Sequence, residues 1–274
     1  MSSRRFSPEF VLGPKSDVVT GARDLLTARN RKSRAQFLAE GPQSVSAVIA
    51  AGWAISVLAV EEHLELLETA QDESIRAYLI TQAAASALSD TVNSQGVFAV
   101  CRIPEVSIED LDLESVDPFV VCVGISDPGN LGTIIRTAAA SGAKAVVTTT
   151  GSADIWNGKV LRSAAGTFTN IPVIGPLDLD VLLEIFRRNS VTTIATAGSA
   201  RDSIFSASSQ EKLQKPHAWL LGSEAHGLDA SVVAEVDHSV FIPMRGDVES
   251  LNVATSAAIC LYSSQLSIAS NSPS

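Results

Sequence analysis

A chain of 274 residues, 46% hydrophobic and 18% charged, has the length for one large or two modest folded domains and the balance of a globular protein. No apolar run approaches the roughly 18 residues of a membrane span, and the opening MSSRRFSPEF lacks the apolar stretch of a secretory signal, so a cytoplasmic location is expected. The net charge of −10 speaks against a polyanionic partner, but it is uneven: residues 1–40 hold eight Lys/Arg against four acids, and the other 234 residues carry the acidity.

Residues 1–13 read as a loose tail. From Ser16 to Leu38 a helical pattern runs through Val18, Val19, Ala22, Leu25 and Leu26, with Arg29, Arg31, Lys32 and Arg34 behind them. Those four cations fit either phosphate contacts or a solvated helix face. Gly41-Pro42 punctuates the chain, and a helix over Gln43–Ala51 ends at Gly52. The spacing then predicts a strand over Ala54–Val60, a helix over Glu61–Asp72, a strand over Ile75–Leu79, a helix over Thr81–Ser89 and a strand over Val97–Arg102. This alternation predicts a small α/β sandwich domain at 14–103.

Residues 103–117 are acidic, poorly periodic and read as a linker. Pro118–Ile125 is almost wholly apolar, as a strand covered on both faces should be. A loop over Ser126–Gly132 leads to a helix over Thr133–Ser141. Further strands are expected at Ala145–Thr149, Ile171–Ile174, Val191–Ala195, Ala218–Leu221 and Ser239–Ile242, with helices at Asp154–Ala165 and Asp180–Asn189. The series predicts a mostly parallel sheet with helices on both faces, in a second domain at 117–270. Val253–Tyr262 reads as a tightly packing helix, because small residues stand at Ala254, Ala257, Ala258 and Cys260, with Ser250 as its cap. Ser263–Ser274 reads as a frayed polar tail. Cys101, Cys122 and Cys260 sit in apolar runs as buried thiols, no Cys/His spacing suggests a metal, and His63 and His217 look like surface positions.

Ligands of parallel sheets sit beyond the carboxyl ends of the strands. That rule selects four loops rich in Gly and small polar residues: Ser126–Gly132, Thr196–Arg201, Gly222–Leu228 and Pro243–Asn252. Arg136, near the start of the expected Thr133 helix, fits either an anion contact or a surface ion pair. A Rossmann dinucleotide site is excluded by the spacing of DPGNLGT and LGSEAHG, and no G-x-S-x-G elbow supports a hydrolase.

Three stretches together resemble the three motifs of the SpoU (TrmH-like) branch of the SPOUT RNA methyltransferases. They are Asn130-x-Gly132-x-x-x-Arg136; Leu221-Gly222-Ser223-Glu224 with Gly227-Leu228; and Ile242-Pro243-Met244 followed by Glu249-Ser250-Leu251-Asn252-Val253. Lys159-x-x-Arg162-Ser163-x-x-Gly166 is similar to the stretch between the first two motifs. Phe37-Leu38-Ala39-Glu40-Gly41 resembles the F-L-x-E-G signature of the substrate-binding domain often fused ahead of such enzymes.

The resemblance implies an α/β fold with a C-terminal trefoil knot and a homodimer; the apolar run lengths and the Cys/His spacing already speak for no membrane and no metal. It implies transfer of a methyl group from S-adenosylmethionine to a ribose 2′-hydroxyl of RNA, with large-subunit (23S) rRNA ahead of tRNA as substrate. A non-catalytic RNA-binding protein of the same fold is the alternative. By motif, Gly222, Ile242 and Leu251 should contact the cofactor, with Thr196, Ala197, Gly198, Pro243 and Met244 as further lining. Asn130, Arg136, Glu224, Ser250 and Asn252 should form the catalytic cluster, and Arg29, Arg31, Lys32 and Arg34 are the candidate RNA contacts. Arg136 is the family's favoured base. A guanidinium with a pKa above ~12 is better suited to clamping a phosphate and polarising the hydroxyl.

Overall fold

The computed structural model describes residues 10–223, 227–246, 248 and 250–271. Their packing separates two compact units. The first runs to Glu105 and also takes in Trp156–Thr169; the second is Val106–Ile155 with Asn170 onward.

The first unit contains α1 (Asp17–Arg23), α2 (Ala28–Arg34), β1 (Gln36–Glu40), α3 (Pro42–Ala50), β2 (Ala54–Ala59), α4 (Leu64–Asp72), β3 (Arg76–Leu79), α5 (Gln82–Leu88) and β4 (Val97–Arg102). The expected helix over Ser16–Leu38 is therefore two helices and a strand. Ser16 caps α1 by accepting from Val19 N at 3.3 Å, and α2 stops at Ala35, whose left-handed backbone (φ 50°) turns the chain into β1. From there sheet pairing overrides helical periodicity: Phe37 faces Cys101 across an antiparallel ladder with β4. The strand order is β1-β4-β2-β3, with β2 and β3 parallel. Val19, Leu25, Leu38, Leu58, Leu88 and Phe98 fill the core beneath the sheet. The tail is not loose at Leu12, which pairs with β3 through Leu12 N to Leu79 O at 2.8 Å.

Trp156–Thr169, with α7 (Gly158–Ala164), completes this unit. Trp156 stacks on Phe37 with ring centroids 4.6 Å apart, and Phe168 meets Phe37 edge-on at 6.1 Å.

The second unit holds β5 (Phe119–Cys122), α6 (Pro128–Ala140), β6 (Ala145–Thr149), β7 (Val173–Leu177), α8 (Leu179–Arg188), β8 (Thr192–Thr196), β9 (Asp202–Ser203), α9 (Ala207–Lys212), β10 (His217–Leu221), α10 (Ala230–Glu235), β11 (His238–Phe241) and α11 (Val253–Asn271). The fold class is α/β, with a seven-stranded sheet of order β7-β6-β5-β10-β8-β11-β9 in which neighbouring strands pair in parallel. Apolar residues on both faces of β5, β6 and β10 explain why it is doubly covered: Phe119, Val121, Val147 and Leu220 meet Leu182 and Phe186 of α8 on one side. Chain order runs outward from β5 to β7 and then returns to the far side of β5. This reversal creates a switch point at the carboxyl ends of β5, β10 and β8.

Three expectations change here. Helix α6 starts at Pro128, five residues before Thr133, because Asp127 caps it by accepting from Asn130 N at 2.9 Å and proline suits the first turn. His217 is fully buried, not on the surface. Its Nδ1 donates to Lys215 O at 2.7 Å, and its Nε2 faces Ser264 Oγ at 2.7 Å. Ser264 also accepts from Trp219 Nε1 at 2.9 Å, so α11 continues to Asn271 where a frayed tail was expected. The serines Ser263, Ser264 and Ser267 are buried in that helix.

Candidate functional site

The carboxyl ends of β8, β10 and β11 surround a cavity of about 440 Å³. Thr196, Ala197 and Gly198 follow β8, Gly222 follows β10, and Ile242, Met244 and Leu251 close the third side. Of the expected cofactor-lining residues, only Pro243 is not on its wall. Ser250 lines the cavity too, as do Ser223, Gly227, Phe241, Val248, Val253 and Ser256, which the sequence reading did not select. Ser223 and Gly227 lie inside an expected ligand loop, and Ser256 is one turn into α11, so loop position was the available signal.

Gly222 makes this wall possible. A Cβ there would overlap the backbone of Gly227 and Leu228, whereas Gly198 faces open space. A buried thiol lies on each of the two flanking elements: burial pushes Cys122 up to about 12 and raises Cys260 further, so both stay protonated and inert.

Asn252 caps α11, correcting the expectation for Ser250. Its Oδ1 accepts from Ala254 N at 2.9 Å and Thr255 N at 3.3 Å. Its Nδ2 donates to Asn130 Oδ1 at 3.0 Å. Two of the expected catalytic residues are therefore in contact, beside the cavity walls Leu251 and Val253. Arg136 sits on α6, roughly 9 Å further along the helix axis than Asn130. It is exposed, in the helix middle and not near its start, and has no ion-pair partner among the described residues. Glu224 lies outside the described residues.

The wall suits a nucleoside-sulfonium cofactor. The backbone groups of Gly198, Gly222, Ile242, Met244 and Leu251 have no hydrogen-bond partner among the described residues, a supply of donors and acceptors for an adenine edge. Among those residues no cluster of three His, Cys, Asp or Glu side chains is placed to hold a metal ion. Among the described residues no helix is long and apolar enough to cross a membrane.

The four RNA-contact candidates on α2 part company. Arg29 and Lys32 are exposed. Arg34 pairs with Asp24 at 2.6 Å and donates to Gly21 O at 3.0 Å. Arg31 is only 4% exposed, and its guanidinium donates to Leu25 O at 2.8 Å and Leu26 O at 3.0 Å. It satisfies carbonyls at the end of the preceding turn, so Arg31 is withdrawn as a phosphate contact.

A parallel sheet with a cavity beyond the carboxyl ends of its strands, beside a polar pair supplied by two helix N-termini, has the layout of an α/β domain that binds a small ligand at its switch point. Residues 117–262 match the model of the SpoU rRNA methylase family, and residues 17–99 match the MRM3-like substrate binding domain. The 23S rRNA (guanosine(2553)-2′-O)-methyltransferase RlmP of Bacillus subtilis is 33% identical over 254 residues, 90% of this chain and 96% of that protein. The 23S rRNA (guanosine-2′-O-)-methyltransferase RlmB of Nitrosomonas europaea is 33% identical over 202 residues, 72% of this chain and 76% of that protein.

Among solved structures, an RNA 2′-O ribose methyltransferase superposes with TM-score 0.79 at 28% identity, covering 94% of this chain and 99% of that chain. The SpoU methyltransferase AviRb from Streptomyces viridochromogenes, in complex with AdoMet, shares the fold with TM-score 0.81 at 23% identity over 93% of this chain and all of that one. The chain belongs to the SpoU rRNA methylase family.

Proposed function

We propose that the protein transfers a methyl group from S-adenosylmethionine to a ribose 2′-hydroxyl of large-subunit ribosomal RNA. The observation that carries this reading is the Asn252–Asn130 hydrogen bond beside the cavity at the carboxyl ends of β8, β10 and β11. When bound, S-adenosylmethionine supplies an electrophilic methyl group. The protein's share is to hold and align an oxygen nucleophile and to manage its proton.

Backbone groups of Gly222, Ile242, Met244 and Leu251 bind the adenosyl portion, with Thr196, Ala197 and Gly198 on the opposite wall and Pro243 at the rim. Asn130 and Asn252, locked to each other, orient the ribose. Arg136 grips the neighbouring phosphate and lowers the cost of charge building on the 2′-oxygen. Glu224 and Ser250 complete this cluster in our reading. Arg29 and Lys32, with Arg34, supply phosphate contacts in the first unit.

The finer parts of the reading are the two domains at 14–103 and 117–270, a trefoil knot about the cavity, a homodimer and a cytoplasmic location. An apolar patch supports the homodimer: Phe205, Tyr262 and Leu266 are 59%, 55% and 66% exposed around one hollow that Ile259 also lines. The reading is tested by calorimetric titration with S-adenosylmethionine and by transfer of labelled methyl to unmodified large-subunit rRNA. Absence of both binding and transfer would overturn it.

A further inference from the structure

Two of the motifs are not used by the cavity at all: Phe37–Gly41, and the stretch from Lys159 to Gly166. In the first unit they meet. The Glu40 side chain is 5% exposed, and its Oε2 accepts from Arg162 Nη1 at 3.0 Å. Arg162 Nη2 lies 2.7 Å from Asp90 Oδ1. Glu40 Oε1 accepts from Ser94 Oγ at 3.3 Å and Gln95 N at 3.4 Å. One guanidinium and one buried carboxylate thus pin both sides of the turn 89–96.

The turn is cross-linked within itself as well. Thr91 N donates to Ser89 Oγ at 3.1 Å, Thr91 Oγ1 to Asn93 O at 3.1 Å, and Gly96 N to Ser94 Oγ at 3.1 Å. His63 Nε2 reaches Gln95 O at 2.9 Å. Yet the tip these bonds support buries nothing: Val92 is 101% exposed, and Asn93 and Gln95 are exposed beside it. A buried ion pair is a costly way to stabilise a fold, and its better-attested use is to fix one conformation. What it fixes here is an outward apolar side chain, Val92, beside the exposed amide of Asn93, while the Gln95 amide lies back against Gly41. The tip carries no cation, so it does not attract phosphate. Its chemistry suits an unstacked base, with Val92 against the ring face and the amide of Asn93 on the base edge.

We infer that Arg162 and Glu40 are positioning residues that hold the 89–96 turn as a surface for unpaired nucleotides of the substrate RNA. This deepens the proposed function and rests on it. Arg162 comes from the segment between β6 and β7, so residues from the catalytic half of the sequence shape the RNA-reading turn.

The test uses the full chain, an unmodified large-subunit rRNA transcript and two readouts, RNA Kd and steady-state methyl transfer. The double variant Val92→Ser with Asn93→Ala alters exposed positions only. It should raise RNA Kd and the KM for RNA by about tenfold, with kcat and cofactor affinity unchanged within about twofold and the salt dependence of binding unaltered. Arg162→Gln should reproduce that pattern, and Arg162→Lys should restore part of it. Wild-type Kd and KM in the double variant would overturn the inference, as would a loss confined to kcat. A wild type that binds the transcript without transferring methyl would overturn the proposed reaction alone, and the Kd comparison would still decide the role of the turn. A wild type that binds no rRNA overturns both.

Discussion

Asn252 Nδ2 donates to Asn130 Oδ1 at 3.0 Å while Asn252 Oδ1 holds the first amides of α11. One side chain thereby starts one helix and orients a residue in the first turn of another. Asn252→Asp keeps the cap and loses the donor. It should preserve stability to within about 1 kcal/mol in urea unfolding while methyl transfer falls. Asn252→Ala should lose about 1 kcal/mol of stability as well as activity. Full activity in the Asp variant would show that the bond between the two amides is incidental.

Gly222 and Gly198 line the same cavity under opposite constraints. Gly222→Ala forces a methyl into the backbone of Gly227 and Leu228 and should cost about 1–3 kcal/mol of stability. Gly198→Ala meets open space, so the melting temperature should hold while cofactor affinity drops, as read by calorimetry. Equal stability losses in both variants would contradict this account of the wall.

His217 makes stability depend on pH. Burial lowers its pKa from 6.5 to about 4, opposed in part by the hydrogen bond to Lys215 O. The unfolded chain therefore binds the extra proton between those values. The stabilisation is fully present above pH 6.5 and is lost as pH falls toward 4. Compared with His217→Gln, the wild type should forfeit roughly 3 kcal/mol of relative stability across that window, measured by urea unfolding at several pH values. A difference independent of pH would place the charge change elsewhere.

Arg136 is exposed and does not line the cavity. Arg136→Ala should abolish methyl transfer and leave the Kd for S-adenosylmethionine within about twofold, because the side chain acts on RNA. A matched loss of cofactor binding would reassign it to the pocket.

The apolar hollow at Phe205, Tyr262 and Leu266 predicts the assembly state. Leu266→Asp should convert a dimer to a monomer in sedimentation velocity without unfolding the chain, since Leu266 is 66% exposed. An unchanged sedimentation coefficient would mean that another surface mediates association, or that none does.

Much of the second unit was legible because its strands are buried on both faces, and uninterrupted apolar runs such as Phe119–Cys122 and Ala145–Val147 announce that. The family likeness rested on local motifs at strand ends, where small residues mark the cavity. What stayed hidden was non-local. Arg31 and Arg29 look alike in sequence, and only the carbonyls of Leu25 and Leu26 distinguish them. Ser264 of α11 read as part of a polar tail because its partners, His217 and Trp219, lie more than 40 positions away. Phe37 and Leu38 read as helix because the ladder that makes them a strand comes from Val100 and Cys101. The short pieces β9, α9 and α10 carry too little periodicity to be seen at all.

The central claim is that the methyl group arrives on a ribose oxygen of ribosomal RNA. Its most direct measurement is nucleoside analysis of unmodified large-subunit rRNA after incubation with the protein and methyl-labelled S-adenosylmethionine. Label in a single 2′-O-methylnucleoside, absent with Arg136→Ala, is the predicted result. Label on a base, or none in rRNA, would contradict it.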